Sequence, residues 1–224
     1  LLLLAASISA SSALVLKISC QRLECHLSLV EALGLTSATG LLNTIPVRIG
    51  TGMKGFYLVY LRGLPISGFA SITGVTAAVA FTLYGLTGVL GVSISWFSVD
   101  RSSVGLQLLL ATYASMVVAG TLALTLGSSL LHIRLPSRVS RFMSSFTNAT
   151  MYLTTNPGFM VKIIILISLA IILVGFRLQL ISSIFDVHLS FPESILLATA
   201  ASVSAFASII PGSLGVREAA ISGT

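Results

Sequence analysis

The sequence predicts an all-α integral membrane protein, a polytopic helical bundle, and three observations carry that prediction. Hydrophobic residues make up 55% of the chain and charged residues only 8%, with a mean hydropathy of +1.05. Soluble domains carry roughly 25% charged residues, so water is not the solvent that most of this surface meets. The charges are also segregated. None occurs between Gly63 and Val99, between Ser102 and Leu131, or between Ser194 and Val216. Third, apolar stretches are interrupted by breaks with charged neighbours, at Pro46–Lys54 and at Pro211–Glu218. In a bilayer such breaks are tolerated only where the freed backbone groups face protein or a polar cavity, which predicts two broken or re-entrant helices.

The 224 residues read as a single transmembrane domain with room for about six to eight segments of ~20 residues. Leu1 lies inside an apolar run without the basic flank of a secretory signal, and Thr224 follows a charged motif. A fragment truncated at both ends is the expectation. The net charge is +6, but no basic run is interleaved with aromatics, so Lys and Arg mark cytoplasmic loops rather than a nucleic-acid surface. Cys20 and Cys25 stand near His26 without the further ligands a metal site needs, and they read as free thiols. No cofactor or metal is expected.

In order, Leu1–Leu16 is the first apolar segment, closed by Lys17, Arg22 and Glu24. Residues 23–35 carry Glu24 and Glu31 among leucines and valine, which predicts an amphipathic interfacial helix with Gly34 as its C-terminal stop. Thr36–Ile45 is apolar but too short to cross a core of ~30 Å, so a re-entrant segment is expected. Within Gly63–Val99 one long helix, about Ile66–Gly91, is expected to loosen at Gly85, Gly88 and Gly91. A tight hairpin of two spans is the alternative. Ser102–Leu131 reads as one transmembrane helix.

Residues 132–157 are the longest polar stretch, where Arg134, Arg138 and Arg141 share one helix face ahead of Phe142 and Phe146. A positive-inside loop is the first reading, a surface helix touching anionic headgroups the second. Phe159–Phe176 is the next span, with Lys162 snorkelling from one end. Leu178–Asp186 is read as interfacial, and Pro192 suits the first turn of the last helix.

Charge counting sets the orientation. With the loop 132–157 in the cytoplasm and residues 23–61 never crossing, nine of the twelve Lys and Arg lie inside, Arg101 and Arg177 outside, and Arg217 in the last motif. A multi-pass protein of the cytoplasmic membrane follows. Ile45-Pro46-x-x-x-Gly50 and Ile210-Pro211-x-x-x-Gly215 also share a spacing and are approached from opposite faces on this topology. That is the sequence pointer to an inverted repeat around a midplane site.

Two stretches, LLNTIPVRIGTGMKGFYL and SIIPGSLGVREAAI, resemble the signature segments of the lysylphosphatidylglycerol synthase/flippase membrane region. Pro46, Arg48 and Gly50 fit the first, and Pro211, Gly212, Gly215, Arg217 and Glu218 fit the second. The chain departs from the pattern at Thr51, where an acidic residue is common, and at Lys54, a usual Arg position. It also lacks the charged pair often found within Gly74–Gly85.

The resemblance implies a flippase-like protein that binds and translocates phospholipid or lipid-linked headgroups. Its partners would be anionic or aminoacylated phospholipids or lipid-linked sugars. A headgroup crossing hydrocarbon needs a shielded polar path. Arg48 and Arg217 suit bidentate phosphate contacts, Lys54 adds a point charge, and Asn43 stands beside them in the first motif. Glu218 would neutralise Arg217 or meet a cationic headgroup. Snorkelling for Arg48 and Lys54, and a structural ion pair for Arg217 and Glu218, are the competing readings. Pro46, Gly50, Pro211, Gly212 and Gly215 are expected to shape backbone.

The rival class is the membrane part of an aminoacyl or glycosyl transferase, or a non-transporting partner of one. The six acids are scattered without an Asp-x-Asp pair, and His26, His132 and His188 suggest no triad, so the chain supplies no catalytic motif. In the resembled family aminoacyl transfer belongs to a separate soluble domain, which would lie outside this sequence.

Overall fold

The computed structural model describes residues 1–43, 49–95, 104–126, 137–187 and 189–207, and these are all-helical. Eight α-helices follow in order: α1 Leu2–Arg22, α2 Leu29–Leu42, α3 Ile49–Phe56, α4 Ile66–Ser95, α5 Val104–Leu126, α6 Ser137–Thr154, α7 Pro157–Ile184 and α8 Phe191–Ala207. A π-helical turn, Tyr57–Leu61, continues α3. Among the described residues four helices are long and apolar enough to cross a membrane: Leu2–Arg22, Ile66–Ile94, Gln107–Thr125 and Pro157–Ile184. Large apolar side chains stand outward on them, including Leu108, Val118, Ile165 and Leu169. Such a surface suits acyl chains and not water.

One end of the bundle gathers the close of α1, both ends of the α2–α3 hairpin, the start of α4 and the α6–α7 junction. There the Arg22 guanidinium lies 4.5 Å from the Tyr152 ring centroid, and Arg62 pairs with Glu31. At the opposite end Phe191 meets Phe176, with ring centroids 4.5 Å apart. The hairpin therefore starts at one end of the bundle and α8 at the other.

Several boundaries differ from the sequence expectation. The helix predicted over 23–35 begins only at Leu29, because Ser28 and Glu31 form a reciprocal capping box. It then passes Gly34, the expected stop, and reaches Leu42. A glycine inside a helix costs only about 1 kcal/mol, less than the packing of the helix returns. At 14 residues α2 spans about 21 Å.

The long helix α4 does not loosen at its glycines, and Ile66–Ser95 is one helix rather than a hairpin. Its glycines are contact points. A Cβ at Gly85 would stand 2.8 Å from the Tyr113 carbonyl oxygen, one at Gly88 would strike the Tyr113 ring, and one at Gly91 would lie 2.8 Å from Leu196. Gly120 of α5 answers with its own close approach to Ala78 and Thr82 of α4. Without a hydrophobic drive between helices in lipid, such close backbones supply the packing. Of the stretch Leu178–Asp186, residues through Ile184 are helical and continue α7 without a break. Nothing in it breaks a helix, and Arg177 alone does not end one.

Other expectations hold. Pro192 stands in the first turn of α8, while Asn156, which the sequence reading did not single out, caps α7 by accepting from the Phe159 N–H at 2.9 Å. Cys20 and Cys25 are buried free thiols. The core joins Leu16 and Cys20 of α1, Leu58 of the π turn, Ile72 and Val75 of α4, Leu153 of α6, and Phe159 and Ile163 of α7. A second cluster sets Val92 against Tyr113 and Met116.

Candidate functional site

Helix α3 is short, and its glycines decide where it sits. A Cβ at Gly50 would press on the Thr39 carbonyl of α2 and stand 2.8 Å from Asn43 Oδ1; one at Gly55 would lie 2.8 Å from the Phe69 ring of α4. Only hydrogen at these positions lets α3 wedge between α2 and α4. Lys54, next to Gly55, is carried inward with it.

Lys54 lines a partly open cavity of about 310 Å³ between α1, α2, α3, α4 and α7. Its wall includes Ser11, Ser12, Val15 and Leu16 of α1, Thr36 of α2, Thr73, Thr76 and Tyr84 of α4, and Leu166 and Ile167 of α7. Small residues on facing helices, among them Ala77, Ala80 and Ala170, leave the space. Lys54 is the one charged side chain in the wall among the described residues. Burial lowers its ammonium below the ordinary lysine value.

The hydroxyls around it are arranged alike. Ser11 donates to the Ser7 carbonyl at 3.0 Å, Thr36 to Ala32 at 2.8 Å, Thr73 to Phe69 at 2.9 Å, and Thr76 to Ile72. Each proton is committed to the preceding helical turn, while the oxygen keeps lone pairs free to accept. The wall thus offers one cationic donor, the four committed hydroxyls as acceptors, the further hydroxyls of Ser12 and Tyr84, and an apolar remainder.

The hairpin holds itself together at both ends. At the tip, Asn43 Oδ1 accepts from the Thr51 N–H at 3.2 Å, and its amide reaches the Thr51 hydroxyl at 3.4 Å. At the base, Glu31 accepts from the Ser28 N–H at 3.0 Å and the Tyr57 hydroxyl at 3.3 Å while pairing with Arg62. On the far side Tyr84 neighbours Ser202 of α8, and Tyr113 reaches the Leu196 carbonyl at 3.3 Å.

Of the residues singled out from sequence, Lys54 faces the cavity, while Asn43 and Gly50 build the hairpin tip. Pro46, Arg48, Pro211, Gly212, Gly215, Arg217 and Glu218 lie outside the described residues. Sequence reasoning missed the hydroxyl wall. Its one signal was the Thr73/Thr76 spacing on α4, a pattern that uncharged membrane helices commonly show.

A profile of the lysylphosphatidylglycerol synthase TM region matches residues 1–224. The chain belongs to that family. Comparison with curated proteins and with solved structures returns no match. Membership in the lysylphosphatidylglycerol synthase TM family, with four apolar helices, makes this a multi-pass membrane protein of lipid modification or flipping.

Proposed function

We propose that the chain is flippase-like, and that the cavity beneath the α2–α3 hairpin receives a phospholipid or lipid-linked phosphate headgroup on its way between leaflets. The observation that carries this reading is the Lys54 ammonium in an uncharged, hydroxyl-lined cavity between membrane helices. Lys54 is half-buried without an ion-pair partner among the described residues, and a phosphate oxygen would offset the cost of desolvating its ammonium. In this reading α2 and α3 form a re-entrant hairpin that lines the path, and α8 starts from the opposite end of the bundle. The two motifs would then make the inverted pair anticipated from sequence, with the arginine-rich stretch 132–157, which includes α6, on the cytoplasmic side of a plasma-membrane protein.

Reconstitution in vesicles with an acyl-labelled fluorescent phospholipid tests it. Leaflet exchange should exceed the protein-free rate and fall at least about tenfold in Lys54→Met, the loss of roughly one charge-assisted hydrogen bond. Exchange at the protein-free rate would remove the transport reading, and a chemically altered lipid would replace it with the transferase one.

A further inference from the structure

The end of α1 brings two cysteines together. The Cys25 N–H donates to the Cys20 carbonyl at 2.9 Å and the Glu24 N–H to the Gln21 carbonyl at 3.2 Å, with Glu24 left-handed at φ 61°. These crossed bonds are a Schellman ending, which sets the side chains of its first and last residues against each other. Here both are cysteines, and their thiols face each other in the core. The turn itself does not call for sulfur. Helix α7 ends on the same bonds, from Val187 to Ser182 and from Asp186 to Ser183, without a cysteine.

We propose that Cys20 and Cys25 form a redox-responsive dithiol, which a small uncharged peroxide closes into an intramolecular disulfide at the base of the α2–α3 hairpin. The site is independent of the cavity and of what passes through it. With the Cys20 oxygen and the Cys25 nitrogen 2.9 Å apart, backbone lengths keep the two Cα atoms within about 7 Å, the span a disulfide bridges. Cys20 is fully enclosed, whereas Cys25 is 6% exposed between the exposed Glu24 and His26, so Cys25 meets the oxidant first. Its sulfur attacks one peroxide oxygen and breaks the O–O bond, giving a sulfenic acid, while the departing hydroxide takes the thiol proton as water. The Cys20 sulfur then displaces the sulfenic hydroxyl, which leaves with the Cys20 proton as a second water. The two sulfurs thus supply the two electrons that reduce the peroxide. On the orientation proposed above this end of the bundle meets the cytoplasm, whose reductants hold the pair open until oxidant arrives. Cys25 lies three residues before Ser28, the N-cap of α2, so the closed bond ties the last turn of α1 to the chain that enters the hairpin.

The test treats the 224-residue chain in phosphatidylcholine vesicles with hydrogen peroxide, then unfolds it in detergent and counts free thiols with a maleimide polymer. Both thiols should disappear together and return with dithiothreitol. Trypsin, which cuts after Arg22, should release the two cysteine peptides still joined. Cys20→Ser should leave Cys25 as a sulfenic acid that dimedone traps, and Cys25→Ser should leave Cys20 at least about tenfold slower to react. The thiol count is made on the parent chain, so it decides even where a variant fails to fold. Thiols that persist in the folded chain, while the same peroxide oxidises them after unfolding, overturn the proposal, as does a disulfide between two chains. Equal rates in the two variants overturn Cys25 as the attacking thiol.

Discussion

The Arg62 guanidinium closes an ion pair with the Glu31 carboxylate, so the first turn of α2 and the residue after the π turn meet at one level of the bundle. The chain leaves the end of α1, rises through α2, turns, and comes back to where it started. Tyr57 strengthens the closure: its hydroxyl donates to Glu31, and its ring lies 5.9 Å from the Arg62 guanidinium carbon. A π turn often marks a functional segment, and this one forms the returning strut of the hairpin.

That closure predicts an asymmetry between the partners. Both side chains are about one-third exposed, at 35% for Arg62 and 29% for Glu31, so solvent screens the pair. A double-mutant cycle of Glu31→Gln and Arg62→Gln should give a coupling of about 0.2–1 kcal/mol. Glu31→Gln alone should cost more than Arg62→Gln, because Glu31 also serves the Ser28 N–H and the Tyr57 hydroxyl. Thermal unfolding in detergent measures both. Equal single costs would mean that those two contacts contribute nothing.

The glycines give a second prediction, in which one substitution has opposite signs at two sites. Gly88→Ala puts a methyl group into the ring of Tyr113, and that ring is held by the hydroxyl's contacts with Leu196 and Thr199. A loss of about 1–3 kcal/mol is expected for such overpacking. Gly52→Ala meets nothing within 4 Å, and should gain up to about 1 kcal/mol from helix propensity alone. Unfolding midpoints of the two variants decide. A stable Gly88→Ala protein would show that α4 and α5 can separate without loss.

The sequence made the membrane class and most helices legible, because burial in lipid needs only uncharged length. Helices α4 and α5 fall inside uncharged runs, α1 ends at Arg22, and α7 runs on past Lys162 and Arg177. What it hid was whether a glycine ends a helix or lets another helix approach it. Gly34 and Gly88 look alike in sequence, yet open space surrounds a Cβ at the first and an aromatic ring fills the second. The same limit applied to the site. Lys54 stood out as a charge among apolar residues, but the hydroxyls of Ser11, Thr36 and Thr76 come from three helices whose pairing no local pattern encodes.

Buried hydroxyls on α6 supply a third prediction. The Thr147 and Thr150 side-chain oxygens are buried without a hydrogen-bond partner among the described residues. Ser71, by contrast, donates to the Phe146 carbonyl at 2.9 Å and ties α4 to α6. Thr147→Val keeps the shape and removes an unpaired polar group, so it should stabilise by about 1 kcal/mol, while Ser71→Ala should destabilise by a similar amount. Calorimetry on the two variants checks the signs. Destabilisation by Thr147→Val would reveal a partner for that hydroxyl in the folded protein.

Lys54 links stability to activity through pH. Helix α3 lies outside the four membrane-spanning segments, and burial lowers the Lys54 ammonium below the ordinary lysine value. The unfolded chain then holds this proton more tightly than the folded one, so protonated Lys54 opposes folding. That opposition is full below the lowered value and vanishes above the ordinary one, so its contribution to stability becomes more favourable as pH climbs between them. Exchange of an anionic lipid should move the other way, falling as the ammonium loses its proton. Lys54→Met should remove the Lys54 contribution to both pH dependences, raise stability near neutral pH by about 0.5–2 kcal/mol, and cut exchange at least about tenfold. A Lys54→Met protein that is less stable than the parent would assign Lys54 a structural partner. Lys54→Arg stays charged throughout, so its exchange should remain flat across the window in which the parent declines. Parallel pH series of unfolding midpoint and leaflet exchange, run on the three proteins, separate a headgroup ligand from a structural lysine.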